Sequence, residues 1–320
     1  MPYDTVKDSI VDVIRMNVSG RAVGIAFSGG LDSGLVAALS KEYADSVTLY
    51  TCGTGNAYDV IAAKDLAEEL DLPWVHVPLS KWTIEPRIRE MISSTGTTDP
   101  FTISYELQLF CVCTAAKEDI ILTGQGADEY FMGCAKFVDQ TDSDYEVLKE
   151  SSIRRLMDVS VPCEMRIAEH FGKQLVYPYL DSNVIEAVSC IDPSELRPTD
   201  MDSRKIVLKR IAIDLGYPVL AERKKKSSQY GSGTTDLIRC VAREKGMMYN
   251  EYIASLSDDV LFGKRTKDRG SVINARIDPM VKIDAEDILK KLGISPSDAI
   301  EMFYLKVIED GDLRCVRRHR

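Results

Sequence analysis

The feature that most constrains the fold is a short apolar segment that runs directly into a glycine-rich turn. Residues 21–27 read RAVGIAF, and residues 28–33 read SGGLDS. A short apolar run of this kind favours a buried strand, and the alanine-rich SGLVAALSKEYA that follows has helical periodicity. The chain therefore places a strand, a tight turn and a helix in succession, which is the start of a βαβ unit.

The alternation of strand-like and helix-like segments continues through the first part of the chain. An amphipathic helix over residues 4–17 comes first, and further strand-like runs read SVTLYTCG, LPWVHVPL and DIILTGQG. This order predicts an α/β fold built on a doubly wound parallel sheet. Right-handed crossovers place the ligand crevice at the C-terminal ends of the strands, where a second glycine-rich loop, residues 124–129, also lies.

The first turn has the chemistry of a phosphate-binding loop. Gly29 and Gly30 let the backbone approach phosphate oxygens, and the amides at the following helix start act as donors. Ser28 and Ser33 add hydroxyl donors, and Asp32 offers a carboxylate to Mg²⁺ on a pyrophosphate group. An ordinary strand-to-helix turn is the alternative, but the complete hexamer behind a strand favours a nucleotide site.

The hexamer resembles the PP-loop of the N-type ATP pyrophosphatases, which adenylate a substrate and release pyrophosphate. Within that group the chain is most similar to the synthetase domain of the asparagine synthetases, over roughly residues 5–236. Four further segments carry the resemblance, and they read YTCGTGNAYD, LTGQGADEYFMG, YPYLD and ERKKKSSQYGSG. The resemblance implies a fold of the PP-loop ATP pyrophosphatase type, with ATP and Mg²⁺ as cofactors.

The resemblance also implies roles for single residues. Asp32 and Asp128 become Mg²⁺ ligands, and Lys225 stabilises charge on the α-phosphate and the departing pyrophosphate, with Lys224 and Lys226 as alternatives. Such chemistry depends on positioning and on cations directed at developing negative charge. The residues expected to bind ATP and pyrophosphate are Ser28, Gly29, Gly30, Asp32, Ser33, Tyr50, Thr51, Gly53, Gly124 and Gly126.

Two departures from the resemblance bear on the reaction. The second residue of the GxGAD loop is glutamate in asparagine synthetases and tyrosine in β-lactam synthetase. Here it is Gln125, whose amide cannot act as a general base near neutral pH but can position an acyl-adenylate or a nucleophile. The chain also begins with Met1 and not with the cysteine nucleophile of a glutaminase. We therefore expect free ammonia, another amine or a separate amidotransferase subunit to supply the nucleophile.

Unranked candidates for the acceptor pocket are Thr102, Ser104 and Glu106.

The last part of the chain differs in pattern and in charge. From Lys264 onward 13 Lys and Arg stand against 10 Asp and Glu, whereas the preceding part has 27 against 40. This asymmetry indicates two modules. Residues 271–277 alternate as a strand does, Pro279 ends that strand, and two helical segments follow, the second through about Ile308. One strand and two helices bury their apolar faces poorly, so we expect a homodimer formed by pairing strands between chains.

This module resembles the ribbon-helix-helix fold, and its sequence is similar to RelB/DinJ-type antitoxins. The resemblance implies a two-stranded ribbon in the DNA major groove, with Asn274 and Arg276 facing outward as base-contact candidates. A dimerisation module that never touches DNA is the alternative, because the local positive charge is modest. The predicted domains are an asparagine synthetase-like domain at 1–236, a helical linker at 237–270 and a ribbon-helix-helix domain at 271–320.

Composition restricts the remaining classes. The chain has 28% charged and 45% hydrophobic residues, as globular proteins do, and it has neither a membrane-spanning run nor a signal-peptide pattern. We expect a cytoplasmic protein, without a membrane partner, that adenylates a carboxylate or similar small-molecule acceptor and forms AMP. Another amidation, or thiolation with Cys134 beside the second loop, is the nearest rival hypothesis. A DNA-binding regulator that senses ATP or AMP is a rival of another class.

Overall fold

The computed structural model describes residues 2–223, 228–263, 277–292 and 294–310. Its strands are β1 (Ala22–Ala26), β2 (Ser46–Gly53), β3 (Trp74–Pro78), β4 (Ile120–Leu122) and β5 (Gln174–Val176). Its α-helices are α1 (Pro2–Val18), α2 (Leu31–Tyr43), α3 (Tyr58–Glu69), α4 (Ile84–Thr95), α5 (Pro100–Ala115), α6 (Ala127–Tyr130), α7 (Asp142–Arg155), α8 (Val161–Phe171), α9 (Ser182–Ser189), α10 (Pro193–Leu196), α11 (Ile206–Asp214), α12 (Pro218–Ala221), α13 (Ser228–Gly231), α14 (Thr234–Glu244), α15 (Tyr249–Phe262), α16 (Pro279–Leu292) and α17 (Pro296–Asp310).

The strands form one parallel sheet in the order β3-β2-β1-β4-β5. Val23 on β1 is in register with Val47 on one side and with Ile120 on the other. The chain therefore builds outward from β1 in one direction and then reverses to the other side at β4. Such a reversal opens a crevice beyond the carboxyl ends of the two central strands. The predicted doubly wound α/β class is confirmed.

Helices cover both faces of the sheet, so alternate residues of a strand enter different cores. On β4, Ile120 and Leu122 belong to the core formed with α1 and α2, whereas Ile121 belongs to the core formed with α4 and α5. Strands buried on both faces need apolar residues at every position, which explains why these segments read as continuous apolar runs. The fifth strand, β5, has three residues and was not predicted, because it lies within a stretch of sequence that reads as mainly helical.

The chain divides into two compact units, Met1–Arg265 and Thr266–Arg320. The first unit extends beyond the boundary predicted at residue 236, because α14 and α15 pack into its second core. Ile238 on α14 and Tyr252 and Leu256 on α15 are buried there with the side chains of α4 and α5. The greater part of the predicted linker is thus a folded part of the first unit.

The second unit contains α16 and α17, which pack against each other. Their bounds agree with the two helices predicted from the proline and capping signals. Several large apolar side chains on them are exposed, among them Ile283, Ile288, Phe303 and Tyr304. The predicted strand lies outside the described residues except for Ile277, as do the DNA-contact candidates Asn274 and Arg276. None of the helices in the described ranges is long and apolar enough to cross a bilayer.

Replacement of Tyr252 by alanine tests whether α15 is part of the first core. We expect the free energy of unfolding to fall by about 3–5 kcal/mol, because a fully buried aromatic ring and the 2.9 Å hydrogen bond from its hydroxyl to Glu85 Oε2 are both lost. Urea denaturation of the whole chain measures the change. Phe262→Ala, at the exposed end of the same helix, is the matched control. Equal stability of the two variants would show that α15 is a linker.

Candidate active site

The first glycine loop is a tight turn between β1 and α2. Gly29 has φ of +70°, and a Cβ at this position would overlap the backbone of residues 62–63, so only glycine fits. The Ser28 amide donates to Ser33 Oγ at 3.1 Å. No side chain caps the start of α2 at Gly30. The N-terminus of α2, with the positive end of the helix dipole, faces the turn and favours an anion there.

The second glycine loop, between β4 and α6, lies directly against the first. A Cβ on Gly124 would stand 3.0 Å from Asp32 Cβ, and Gly126 has φ of +90° beside Leu180. The Tyr179 hydroxyl donates to the Asp32 carbonyl oxygen at 2.9 Å. The segment YPYLD, which carried part of the family resemblance, thus supports both loops from behind.

A lysine that the sequence interpretation missed joins the two loops. Lys205 Nζ lies 2.5 Å from Asp32 Oδ2 and 2.5 Å from Asp128 Oδ1. Lys205 is buried, and burial alone would lower its pKa, but the charges of Asp128 and Asp32 raise that pKa above its ordinary value. It precedes α11 with φ of +56°, in the left-handed region. In the sequence it is one of several basic residues ahead of a helix, with no signal that sets it apart.

Gly133 makes room for this ion triad. A Cβ on Gly133 would overlap Lys205 Cε and Asp128 Oδ1. The carbonyl of Gly133 also accepts a 2.9 Å hydrogen bond from Arg204 Nη1. The last glycine of the LTGQGADEYFMG segment is therefore explained by the close approach of a buried lysine.

The loops and the carboxyl end of β2 surround one cavity. Most predicted ATP-binding and catalytic residues line it, together with residues of α5 and α8: Ser28, Asp32, Ser33, Tyr50, Thr51, Gly124, Gln125, Gly126 and Asp128. Gly29 and Gly30 shape the turn beneath, and Gly53 is packed against Ser232, whose carbonyl oxygen would be 2.8 Å from a Cβ there. Lys225 and its alternatives, Lys224 and Lys226, lie outside the described residues.

The two predicted metal ligands, Asp32 and Asp128, lie on either side of the Lys205 ammonium and contact it. No group of three or more His, Cys, Asp or Glu side chains in the described part of the chain could hold a metal. Two carboxylates completed by phosphate oxygens and water are nevertheless a donor set that suits Mg²⁺ at nucleotide sites. Asp32 and Asp128 therefore fit a metal that arrives with a phosphate group.

An acidic wall lies opposite the glycine loops. Gln125 Nε2 donates to Glu164 Oε1 at 2.9 Å, and the Tyr105 hydroxyl donates to Gln125 Oε1 at 3.2 Å. Glu106 lines the cavity beside them. Burial raises the pKa of Glu164 to about 7, and burial together with the charge of Glu164 raises the pKa of Glu106. Glu164 had no recognisable signal in the sequence.

The three acceptor-pocket candidates are now distinguishable. Thr102 Oγ1 donates to Asp99 Oδ2 at 2.6 Å, and Ser104 Oγ donates to the Phe101 carbonyl oxygen at 2.9 Å. Both hydroxyls therefore serve the first turns of α5. Among the three, Glu106 alone lines the cavity.

The cysteine considered for thiolation has an unsuitable environment. Burial raises the pKa of Cys134 to about 12, and Cys134 does not line the cavity. Cys52 does line it, but burial raises its pKa as well. Because the thiolate is the reactive form, neither group is poised as a nucleophile.

Two family models match separate parts of the chain, and both resemblances inferred from the sequence are confirmed. Residues 5–162 match the asparagine synthase family model, and residues 270–315 match the RelB antitoxin family model. The putative asparagine synthetase [glutamine-hydrolyzing] 1 of Methanocaldococcus jannaschii is 27% identical, over 81% of this chain and 56% of that protein. Asparagine synthetase B of Escherichia coli is 23% identical, over 60% of this chain and 40% of its own length. The chain thus spans about half the length of the curated relatives it matches.

Similar solved structures include NMN synthetase from Francisella tularensis and the NH3-dependent NAD synthetase from Campylobacter jejuni. The first is 15% identical and covers 87% of this chain and 99% of that one, with a TM-score of 0.38. The second is 15% identical and covers 71% and 98%, with a TM-score of 0.30. At these scores the likenesses carry no argument about fold or function.

Removal of the buried lysine should destabilise the first unit. In Lys205→Met the buried carboxylate of Asp32 loses its cation, so we expect a loss of about 3 kcal/mol in the free energy of unfolding. Millimolar Mg²⁺ should restore part of this loss in the variant, because the two carboxylates can then share the metal. Thermal denaturation with and without Mg²⁺ measures both effects, and Ca²⁺-free buffer with EDTA is the reference. An unchanged melting temperature would contradict the role given to the triad.

The acidic wall should make stability depend on pH. Because the folded pKa of Glu164 and Glu106 lies above the ordinary 4.5, the folded state retains protons that the unfolded state releases. The free energy of unfolding should therefore fall, by about 1–3 kcal/mol, as pH rises from 4.5 to 7. Urea denaturation at several pH values should show a smaller fall in Glu106→Gln than in the wild type. Parallel profiles would contradict the raised pKa values.

Proposed function

Since residues 5–162 match the asparagine synthase family model, we propose that this chain is an ATP- and Mg²⁺-dependent, AMP-forming enzyme that adenylates a carboxylate and releases pyrophosphate. The observation that carries the proposal is the convergence of two glycine loops, Asp32, Asp128 and Lys205 in one crevice at the carboxyl ends of β1 and β4. Crevices at this point of an open parallel sheet bind nucleotides.

The proposed roles follow from what each group can do. The N-terminus of α2, with the hydroxyls of Ser28 and Ser33, binds the phosphate chain. Asp32 and Asp128 would hold Mg²⁺, which when bound neutralises phosphate charge during displacement of pyrophosphate. Once their oxygens are shared with a metal, the Lys205 ammonium is available to the phosphate oxygens. Lys225 is the second proposed cation for the α-phosphate.

The adenine end of the cavity is assigned to the carboxyl end of β2. Thr51 Oγ1 donates to the Phe27 carbonyl oxygen at 2.7 Å, so its side chain fixes β2 against the first loop. The Tyr50 hydroxyl donates to Glu118 Oε2 at 2.8 Å. With these side chains engaged, the backbone of residues 50–53 is the proposed contact for adenine.

We propose that an amine then attacks the acyl-adenylate to form an amide. Relatives at this level of similarity are named asparagine synthetases, and the high pKa of the nearby thiols weighs against thiolation. Gln125 cannot accept a proton but holds Glu164 by a hydrogen bond. Ammonia, another amine or a separate amidotransferase subunit remains the proposed nitrogen source, and the carboxylate acceptor is a small molecule.

Pyrophosphate release over a panel of carboxylates and amines tests the proposal. For the accepted substrate, Asp128→Asn should lower the rate by about 100-fold or more. The metal that neutralises the phosphate charge would lose one of its two proposed protein ligands. Asp258→Asn, an exposed carboxylate on α15, should retain the wild-type rate. Nucleotide binding without turnover on any substrate, combined with sequence-specific DNA binding, would favour the ATP-sensing regulator instead.

We further propose that the second unit forms a homodimer. Its residues match the RelB antitoxin family model, and α16 and α17 expose large apolar side chains that a second copy could cover. Phe303→Glu should convert a dimer into a monomer in analytical ultracentrifugation. Ser297→Glu, which adds the same charge at an exposed polar position of α17, should not. A monomeric wild type would refute the proposal.

DNA binding by this unit is a separate proposal that depends on Asn274 and Arg276. Electrophoretic mobility shifts with genomic fragments at two salt concentrations would test it, since phosphate contacts weaken as salt rises. Arg276→Ala should weaken binding and relax sequence preference. Absence of any shift at low salt would leave dimerisation as the function of the unit.

A further inference from the structure

Two buried glutamates meet in the wall of the cavity opposite the glycine loops. Glu106 on α5 is 2% exposed and Glu164 on α8 is 3% exposed, and both line the cavity. Glu106 Oε1 and Glu164 Oε2 have no donor within hydrogen-bonding geometry in the described residues, and the Tyr177 hydroxyl beside Glu164 is likewise without a well-aligned partner. Buried carboxyl oxygens are normally satisfied by donors. Two that are unsatisfied in a cavity wall therefore indicate a ligand that brings its own donors.

The backbone ahead of α8 helps to bring the two carboxyl groups together. Residues Leu156–Ser160 form a π-helical turn before α8, and Pro162 lacks the amide hydrogen that a regular helix would use there. The buried Ser160 hydroxyl faces Glu106 and favours its charged form. A widened turn held against a carboxylate is typical of a functional segment and not of a simple packing contact.

Gln125 and Tyr105 are positioning residues for the pair. Since the Tyr105 hydroxyl donates to Gln125 Oε1, the amide nitrogen of Gln125 must point towards Glu164. One oxygen of Glu164 is thereby fixed, and the other remains for a ligand. This gives the glutamine of the GxGAD loop a task that a glutamate, an acceptor when ionised, could not perform.

The charges around the pair select the kind of ligand. The cavity-lining residues include five carboxylic acids and neither Lys nor Arg within the described ranges: Asp32, Asp59, Glu106, Asp128 and Glu164. Burial and the charges of Glu106, Glu129 and Asp128 raise the pKa of the neighbouring Tyr105, whereas the charge of Arg155 opposes the rise in the Glu106 pKa. The Arg155 guanidinium is half exposed, 3.7 Å from Asp99 and stacked on Phe101. A carboxylate would be repelled here, whereas a cation with several N–H donors would be attracted.

We propose that the Glu106–Glu164 pair binds the amino group of the nitrogen donor as an ammonium ion, either of ammonia or of a primary amine. The ammonium donates hydrogen bonds to Glu106 Oε1 and Glu164 Oε2, the two oxygens without a partner. The site accordingly selects a cationic amine, which gives up one proton to a carboxylate of the pair and then attacks as the second reactant with its free lone pair. The assignment of this amine as the second reactant rests on the proposed amide-forming function.

Turnover with different nitrogen donors gives the first test. With ammonium chloride or methylamine, Glu106→Gln and Glu164→Gln should each raise the KM for the amine by about 10-fold or more, because one charged acceptor is lost. Hydroxylamine is uncharged at neutral pH, so its use as nucleophile should change by less than about twofold. ATP–pyrophosphate exchange, which needs no amine, is followed in parallel and reports whether each variant still adenylates. Glu169→Gln, an exposed glutamate on the same helix, is the matched control.

Amine binding without turnover gives the second test. The melting temperature of the whole chain is measured in methylammonium chloride and in sodium chloride at equal ionic strength. Wild type and Glu169→Gln should melt higher in methylammonium, and the Glu106→Gln/Glu164→Gln double variant should show no difference between the salts. Melting of the double variant in sodium chloride verifies that it is folded. Equal responses of wild type and double variant would overturn the proposal.

The two tests separate failure of this inference from failure of the proposed function. Absent ATP–pyrophosphate exchange on every carboxylate, with the methylammonium effect intact, would refute the adenylating enzyme and leave the amine site standing. Intact exchange, with an amine KM unchanged in both single variants, would refute the amine site and leave the enzyme standing.

Discussion

The structure of the crevice depends on one buried ion triad. Lys205 places its ammonium 2.5 Å from Asp32 Oδ2 and 2.5 Å from Asp128 Oδ1, and so ties together the loops after β1 and β4 and the segment before α11. Charges as deeply buried as those of Lys205 and Asp32 are tolerated only when paired. Gly133 and the left-handed backbone of Lys205 are local consequences, because each allows the lysine to reach both carboxylates.

The topology of the sheet places the residues of the triad next to each other. Because the strand order reverses at β1 and β4, two loops that are far apart in the chain end side by side. The YPYLD segment supports them from beneath, through Tyr179 to the Asp32 carbonyl and Leu180 against Gly126. Helices α5 and α8 then supply the opposite wall. The crevice therefore has one wall of loop backbone and one of helical side chains.

The two walls of the crevice suit ligands of opposite charge. The loop wall has a helix N-terminus and hydroxyls, and its two carboxylates can bind an anion only through a cation, either Lys205 or Mg²⁺. The helical wall carries Glu106 and Glu164, whose pKa values are raised by burial and, for Glu106, also by the charge of Glu164. An anionic nucleotide suits the first wall and an amine suits the second, so a single cavity can bring the two together.

Features that depend on neighbouring residues could be predicted from the sequence. Strand and helix periodicity gave the α/β class, the glycine turns located both loops, and proline and capping residues placed α16 and α17. Asp32 and Asp128 were found because they lie within those glycine-rich motifs. Each of these signals is contained in a short stretch of chain, where local conformation and hydrophobic pattern are fixed by adjacent residues.

Only the tertiary structure revealed Lys205, the Glu106–Glu164 pair, strand β5 and the packing of α15 into the first core. Lys205 lies 173 positions from Asp32, and Glu164 lies 39 positions from Gln125. In the sequence each is one charged residue among many on a helix or at its start. Their environments arise when distant elements pack and exclude water, because desolvation and the approach of other charges are what turn an ordinary lysine or glutamate into part of a site.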